Sequence, residues 1–203
     1  MYCCREGLAP PGANPHKANE RGNTMSEFHT MKIAGLTRNL KKFPVSDSLD
    51  IAAFILFGDT EITIASAEAL LKKVPEFDFI LTPEAKSIPL AYEMSRQSGK
   101  PYVVARKGVK VYMGNPVSVT VRSITTQKEQ TLYLGEDEVN LIKGKKVLIV
   151  DDVISTGESL AAVRTLVEKA GGIEAAACAV LAEGDAAERT DIIFLEKLPL
   201  FFK

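Results

Sequence analysis

The chain is poor in histidine and cysteine, and that scarcity removes several chemistries. Its two histidines, His16 and His29, both precede Met31, so the remainder offers no imidazole base for a Ser/His/Asp or Cys/His nucleophilic triad. Three cysteines, the adjacent Cys3 and Cys4 and a lone Cys178 in the apolar run AAACAVLA, make no disulfide framework and suit a reducing cytoplasm. Cys3, Cys4, His16 and His29 match no common zinc spacing. No apolar run approaches the roughly 20 residues a membrane helix needs, and the amino terminus has no basic segment followed by an apolar core, so the chain reads as soluble and unexported. Lys and Arg number 25 against 26 Asp and Glu, so no excess of one sign points to nucleic acid or an anionic membrane as partner. Any anion must be bound by local geometry. Two common phosphate motifs are also missing, since neither GxxxxGK[ST] nor GxGxxG occurs.

What is present suits one packed domain. The 203 residues are 46% hydrophobic, enough for a single core with an arm. Residues 1–30 are rich in Pro, Gly, Asn and charge and are expected to form a disordered extension, with Met25 and Met31 as alternative starts. From residue 31 to residue 203, short β-rich runs alternate with helical patterns, which predicts an α/β domain with a mostly parallel sheet flanked by helices.

The segment ASAEALLKKVP predicts a helix capped by Ser66 and stopped by Pro75. FDFILTP reads as a buried strand, and IPLAYEMSRQSGKP as a helix with Pro89 in its first turn and Gly99 at its end. YVVARK is the next strand. A mobile loop with Gly108, Gly114, Asn115 and Pro116 leads into an antiparallel excursion, VSVTVRSI and TLYLG. KKVLIVDD is continuously apolar up to its acids, the mark of a strand buried on both faces. Leu160, Val163, Leu166, Val167 and Ala170 follow at helical spacing, ended by Gly171 and Gly172. The strands IEAAACAVLAE and IIFLEKL and a terminal LPLFFK complete the chain, the last with apolar residues expected to dock or to be buried in a partner. Cys178 is read as core packing.

The chemistry concentrates in KKVLIVDDVISTGESL. In an open α/β sheet, ligands bind beyond the carboxyl ends of strands, where loops enter helix amino termini. Asp151 and Asp152 stand at such an end. In the loop that follows, Gly157 lets the backbone approach a ligand, while successive amides and the hydroxyls of Ser155, Thr156 and Ser159 can donate to an anion. The acids repel phosphate but suit a hydrated Mg²⁺ or sugar hydroxyls. A sugar phosphate fits both ends. Helix capping alone would need one such residue, not two acids and three hydroxyls. A response-regulator receiver carries a similar VLIVDD strand, but there the phospho-accepting Asp follows on a later strand, and too little sheet remains after Asp152.

The stretch VLIVDDVISTGES resembles the phosphoribosyl pyrophosphate signature of type I phosphoribosyltransferases, and residues 31–203 as a whole resemble the adenine phosphoribosyltransferase-like purine salvage members. The resemblance implies the type I fold, with a small hood and an antiparallel flexible-loop excursion. It implies that Asp151 and Asp152 hold the ribose hydroxyls, directly or through Mg²⁺, and that Ile154, Ser155, Thr156, Gly157, Glu158 and Ser159 form the turn around the 5-phosphate. TPEAKSIPL resembles the pyrophosphate loop, so Glu84, Ala85, Lys86 and Ser87 are expected to meet the pyrophosphate. ARKGVK resembles the stretch that supplies cations, so Arg106, Lys107 and Lys110 are expected to neutralise the leaving group. Lys and Arg are equally common on solvated strand edges, and Glu84 has the alternative of capping the following helix. GLTRNLKKFPV resembles the hood of adenine-type members.

The implied activity is transfer of the 5-phosphoribosyl group to a nucleobase, with adenine favoured. SITTQKEQ, with Thr125 and Thr126, is closer to xanthine-type members, and RKGVKVYMG resembles the orotate loop with Met113 in place of a histidine. Xanthine, hypoxanthine and orotate are therefore the alternative bases. Some proteins of this fold instead sense phosphoribosyl pyrophosphate and regulate transcription, but no patterned DNA-binding domain precedes residue 31. A catalytically silent relative that merely dimerises is the remaining alternative. A homodimer is the expected assembly.

Overall fold

A computed structural model describes residues 27–122 and 129–203. In chain order these form β1 (Phe28–Ile33), β2 (Leu36–Ser46), β3 (Leu49–Ala52), α1 (Thr60–Leu71), β4 (Phe79–Pro83), α2 (Ile88–Ser98) and β5 (Tyr102–Ala105). There follow β6 (Val117–Arg122), β7 (Glu129–Leu134), α3 (Glu136–Ile142), β8 (Lys146–Ile154) and α4 (Glu158–Lys169). The chain ends with β9 (Ile173–Glu183), a 3₁₀ turn (Gly184–Glu188), β10 (Ile193–Leu198) and β11 (Phe201–Phe202).

The centre is a five-stranded parallel sheet in the order β10-β9-β8-β4-β5. β8 lies in its middle, and its alternating side chains feed two cores. Val147 and Ile149 pack with Val163, Leu166 and Val167 of α4 and with Leu132 of β7. Leu148 and Val150 pack with Ile62 and Leu70 of α1, with Leu90 and Met94 of α2, and with Ile33 and Leu40 of the amino-terminal strands. Burial on both faces explains the unbroken apolar run, and each such side chain contributes about 1.5–3 kcal/mol. The buried Cys178 on β9 belongs to the second core, and burial pushes its thiol well above the ordinary range, as suits a packing residue.

A second, antiparallel sheet has the order β1-β2-β3-β11 and carries the predicted hood. The parallel sheet, the helices, the β6-β7 ribbon and this hood together give the architecture that the sequence resemblance implies. Residues 28–30, assigned by composition to the extension, form the first half of β1, where Thr30 Oγ1 donates to Asn39 Oδ1 across the pair (2.7 Å). Residues 1–26 and most of SITTQKEQ, including Thr125 and Thr126, lie outside the described residues. His29 packs its ring against Phe201 at 5.1 Å. Phe201 pairs with Asp50 in β3, so the carboxyl terminus docks as expected, although Phe202 is exposed.

One boundary and one element differ from expectation. α1 starts at Thr60, and its cap is Asp59, whose side chain accepts the Ile62 N–H (3.2 Å). Ser66 sits inside the helix, buried and without a hydrogen-bond partner among the described residues. Thr60, Ile62, Thr63 and Ile64 are weak helix formers, but the cap and burial against α2 and the sheet override that preference. Arg38 of β2 locks the same cap, bonding both oxygens of Asp59 (2.7 and 2.9 Å) and Glu61 (2.7 Å), which ties the hood to the main domain. α3 was not expected at all. Its acidic first turn, Glu136, Asp137 and Glu138, complements the helix amino terminus. Among the described residues no helix is long and apolar enough to cross a membrane.

Candidate active site

β8 continues past the two acids to Ile154, so Asp151 and Asp152 lie within the strand and point to opposite sides of it. Beyond Ile154 the chain turns through residues 155–157. Gly157 adopts φ +81°, a left-handed conformation that favours glycine, and forms the amino-terminal boundary of α4. The first hydrogen bond of α4 runs from the Ala161 N–H to the Gly157 carbonyl (2.9 Å), and ahead of it the Glu158 N–H makes a long bond to Thr156 Oγ1 (3.5 Å), as at a helix amino terminus whose first amides have no intrahelical partner. Ser155 and Thr156 are exposed there.

Across from β8, the end of β4 enters the loop 84–87 ahead of α2. A cleft of about 180 Å³ opens between them. Glu84, Ala85, Lys86 and Ser87 line one side, Asp151, Asp152 and Ser159 the other, and Lys107 reaches in from the segment after β5. Three segments widely separated in sequence thus meet at the carboxyl end of the parallel sheet.

The two adjacent acids have different surroundings. Asp152 is 3% exposed and lies 2.9 Å from Lys86 Nζ, a close charge contact without a directed hydrogen bond. Asp151 has no salt-bridge partner among the described residues, and its Oδ1 accepts the Asp152 N–H (2.9 Å). Burial pushes its carboxyl up to about 7, the neighbouring Asp152 charge adds to the rise, and the Asp152 N–H and Ser87 hydroxyl oppose it. Ser87 is itself buried and accepts from Thr82 Oγ1 (2.7 Å), which fixes the base of the loop.

Glu84 is engaged within the protein. Its Oε2 accepts the Lys107 N–H (2.9 Å), and Arg106 Nε stands 3.4 Å from Oε1. The Lys107 N–H, with Arg106 and Lys110 nearby, holds this carboxyl below its usual range. The alternative role as a helix cap is not what the structure shows: Ser87 occupies the capping position of α2, without a side-chain cap bond. Arg106 also donates to the Tyr112 hydroxyl (3.2 Å), so it braces the loop after β5. Arg106 and Lys110 stand beside the cleft rather than in its wall. The side chain of Ile154 packs in the core, so only its backbone faces the turn. Gln130 and Leu132 of β7 also line the cleft. Sequence reading missed them because nothing local marks which face of a ribbon strand turns inward.

Residues 59–198 match the family described as the phosphoribosyl transferase domain. The chain belongs to that family. This type I phosphoribosyltransferase is 32% identical over 145 residues to an adenine phosphoribosyltransferase of Thermosipho africanus, covering 70% of this chain and 82% of that one. It is 36% identical over 114 residues to a hypoxanthine/guanine phosphoribosyltransferase of Methanothrix thermoacetophila, covering 56% of each chain. Among solved structures, an adenine phosphoribosyltransferase from Thermoanaerobacter pseudethanolicus superposes with a TM-score of 0.66 at 24% identity, over 78% of this chain and 95% of that one, which speaks for the fold. The residues that line the cleft described above lie within the matched stretch.

Proposed function

We propose that this phosphoribosyltransferase moves the 5-phosphoribosyl group from phosphoribosyl pyrophosphate to a purine base, adenine in preference to others, and releases pyrophosphate. One observation carries the reading: a single cleft joins the two β8 carboxylates, Ser159 of the first turn of α4 and two lysines on separate loops, with the turn 155–158 next to it along the chain. The turn of Ser155, Thr156, Gly157, Glu158 and Ser159 holds the 5-phosphate with backbone amides and hydroxyls. Asp151 and Asp152 face the ribose hydroxyls. The backbone of residues 84–87 and the ammonium of Lys86 meet the pyrophosphate, with Lys107 beside it.

In the reaction, the bond from the anomeric carbon to the pyrophosphate oxygen breaks and its electron pair leaves with the pyrophosphate, while a ring nitrogen of the base bonds to that carbon and gives its proton to the departing pyrophosphate or to solvent. Negative charge grows on the leaving pyrophosphate and positive charge on the ribose ring. Lys86 and Lys107 stabilise the first, with Arg106 and Lys110 reinforcing them from the loop, and the carboxylates stabilise the second. Mg²⁺ fits this site, because Asp151 and Asp152 put two adjacent carboxylates on one cleft, only Asp152 of them has a lysine partner among the described residues, and together they would hold a hard cation. Bound there, it would neutralise the diphosphate and orient the ribose.

Adenine is supported by the Thermosipho africanus relative, matched over most of its length, and by the hood. The hypoxanthine/guanine reading is supported by the second relative. The same reading takes the protein as a cytoplasmic homodimer, with the exposed Phe43, Ile55 and Phe57 offering apolar surface of the kind a second copy covers. The test is pyrophosphate release from phosphoribosyl pyrophosphate and Mg²⁺ with adenine, hypoxanthine, guanine, xanthine and orotate supplied separately and product masses measured. Turnover with adenine at the highest kcat/KM is expected. Turnover with another base alone reassigns the substrate, and tight phosphoribosyl pyrophosphate binding without turnover makes the protein a sensor.

A further inference from the structure

The turn that begins α4 contains no lysine or arginine, and Glu158 places a negative charge in its first helical position. A phosphate dianion bound there by amides and hydroxyls alone would keep most of its charge uncompensated. The structure brings a cation to this turn from elsewhere in the chain. Arg189 closes the 3₁₀ turn after β9, some thirty residues past the loop, and its guanidinium lies against Gly157 so closely that a Cβ at that position would collide with Nη1.

The orientation of this guanidinium is imposed. Asp191 accepts from Nε (2.9 Å) and from Nη2 (2.7 Å), a bidentate clamp on one edge of the plane. Nη1, on the other edge, has no hydrogen-bond partner among the described residues and is the atom turned to Gly157. Asp191 is in turn gripped by Arg164 of α4, through Nη1 to Oδ2 (2.6 Å) and Nη2 to the backbone oxygen (3.1 Å). Arg164 also bonds Glu174 of β9 (3.0 and 3.1 Å). The helix whose start forms the phosphate turn and the segment that bears Arg189 are therefore held in fixed register by one carboxylate.

We infer that Arg189 is the positioning cation of the sugar-phosphate end: clamped by Asp191, it sets its unpaired Nη1 edge against the Gly157 turn and supplies the positive charge the turn lacks. The inference rests on the function proposed above and extends it to a residue outside the signature stretch. Absence of a side chain at position 157 then serves two purposes. It permits φ +81°, and it leaves room for the guanidinium.

The test separates the two ends of the substrate. Calorimetry measures binding of ribose 5-phosphate, of inorganic pyrophosphate and of phosphoribosyl pyrophosphate to the full chain, to Arg189→Gln, to Arg189→Lys and to Asp191→Asn, each checked by thermal melting. With Arg189→Gln, affinity for ribose 5-phosphate and for phosphoribosyl pyrophosphate should fall about tenfold, as loss of one charge at short range in a partly solvated site predicts. Pyrophosphate affinity should stay unchanged. KM for phosphoribosyl pyrophosphate should rise while kcat at saturation holds, and the loss should shrink as salt is raised. Arg189→Lys should recover part of the affinity, and Asp191→Asn should weaken ribose 5-phosphate binding by a smaller factor, since the charge stays but its orientation is released. Unchanged ribose 5-phosphate binding in Arg189→Gln would overturn the inference, as would an equal loss for pyrophosphate, which would mark a general structural defect. If the unaltered protein binds neither ribose 5-phosphate nor phosphoribosyl pyrophosphate, the proposed function itself fails, an outcome distinct from failure of Arg189 alone.

Discussion

Replacing Asp151 with Asn should remove activity and, without metal, make the protein more stable. The Asp151 carboxyl rises from 3.8 to about 7 through burial and the adjacent Asp152 charge. At 1.36 kcal/mol per unit, that displacement bounds the cost of ionising Asp151 in the fold at about 4 kcal/mol, and because the rise is shared with Asp152 at the mouth of a cleft, about 1–3 kcal/mol is the working figure. The sign follows from proton counting. The folded state binds this proton more tightly than the unfolded chain, so the Asp151 contribution destabilises increasingly as pH climbs from about 4 to about 7 and is constant above. Asn keeps an oxygen to accept the Asp152 N–H and carries no charge. In EDTA at pH 8, Asp151→Asn should melt higher than the parent, by about 2–4 °C for each kcal/mol in a domain of this size. The advantage should shrink toward pH 5. With Mg²⁺, phosphoribosyl pyrophosphate and base, the same variant should lose at least about a hundredfold in turnover, the usual consequence of deleting one preorganised electrostatic contact. Melts across pH with and without EDTA, paired with pyrophosphate release, test both halves. A variant that melts lower than the parent at pH 8 without metal would refute the electrostatic reasoning, and near-parental turnover would refute the placement of Asp151 at the ribose.

Other expectations concern single contacts. Lys86→Met removes the counter-charge of a carboxylate that is 3% exposed, and because the lysine itself is 54% exposed the loss should be about 1–3 kcal/mol, below that of a fully buried pair. Urea unfolding should show it as a lower midpoint with unchanged slope, and an unaltered midpoint would mean that water already compensates Asp152. Asp191→Asn removes a carboxylate held well below its usual range by Arg189 and Arg164. Its side chain is 48% exposed, so screening limits the loss to less than about 1 kcal/mol. That stabilisation should be present above about pH 4 and fade as pH falls toward the depressed folded value. Parent and variant should therefore differ in thermal melts at pH 7 and converge in acid, and a difference that persists unchanged in acid would contradict the assignment.

The central sheet was legible because its strands are buried on both faces. VLIV in β8 and AAACAVLA in β9 read as strands with no knowledge of their neighbours, and Pro89 and Gly99 marked both ends of α2. The hood was legible only in part. β1 alternates exposed and buried residues in a short polar segment, and its strand character depends on pairing with β2 across the turn at Gly35. Composition alone therefore assigned residues 28–30 to the preceding arm. The start of α1 was hidden for a similar reason. Thr60, Ile62, Thr63 and Ile64 carry the β-branched pattern of a strand, and the Asp59 cap, held by Arg38 from another sheet, reverses it together with packing against α2 and the central sheet.

The site shows the same division at finer scale. Which segments meet at the cleft could be read from local chemistry, since DDVISTGES and EAKS each mark a strand end that enters a helix. What each side chain does there could not, because that depends on what lies opposite. Asp151 and Asp152 read as an equivalent pair, yet strand alternation sends Asp152 to Lys86 and leaves Asp151 without a cation among the described residues. Glu84 and Arg106 read as groups facing a ligand, yet they engage each other and the Lys107 backbone. Arg189 carries no motif and stands some thirty residues from the turn it abuts. Each case turns on a partner distant in sequence. Within the proposed function, the consequence is an asymmetric acid pair: Asp152 is already neutralised by the loop that meets the pyrophosphate, so a cation arriving with substrate gains most at Asp151.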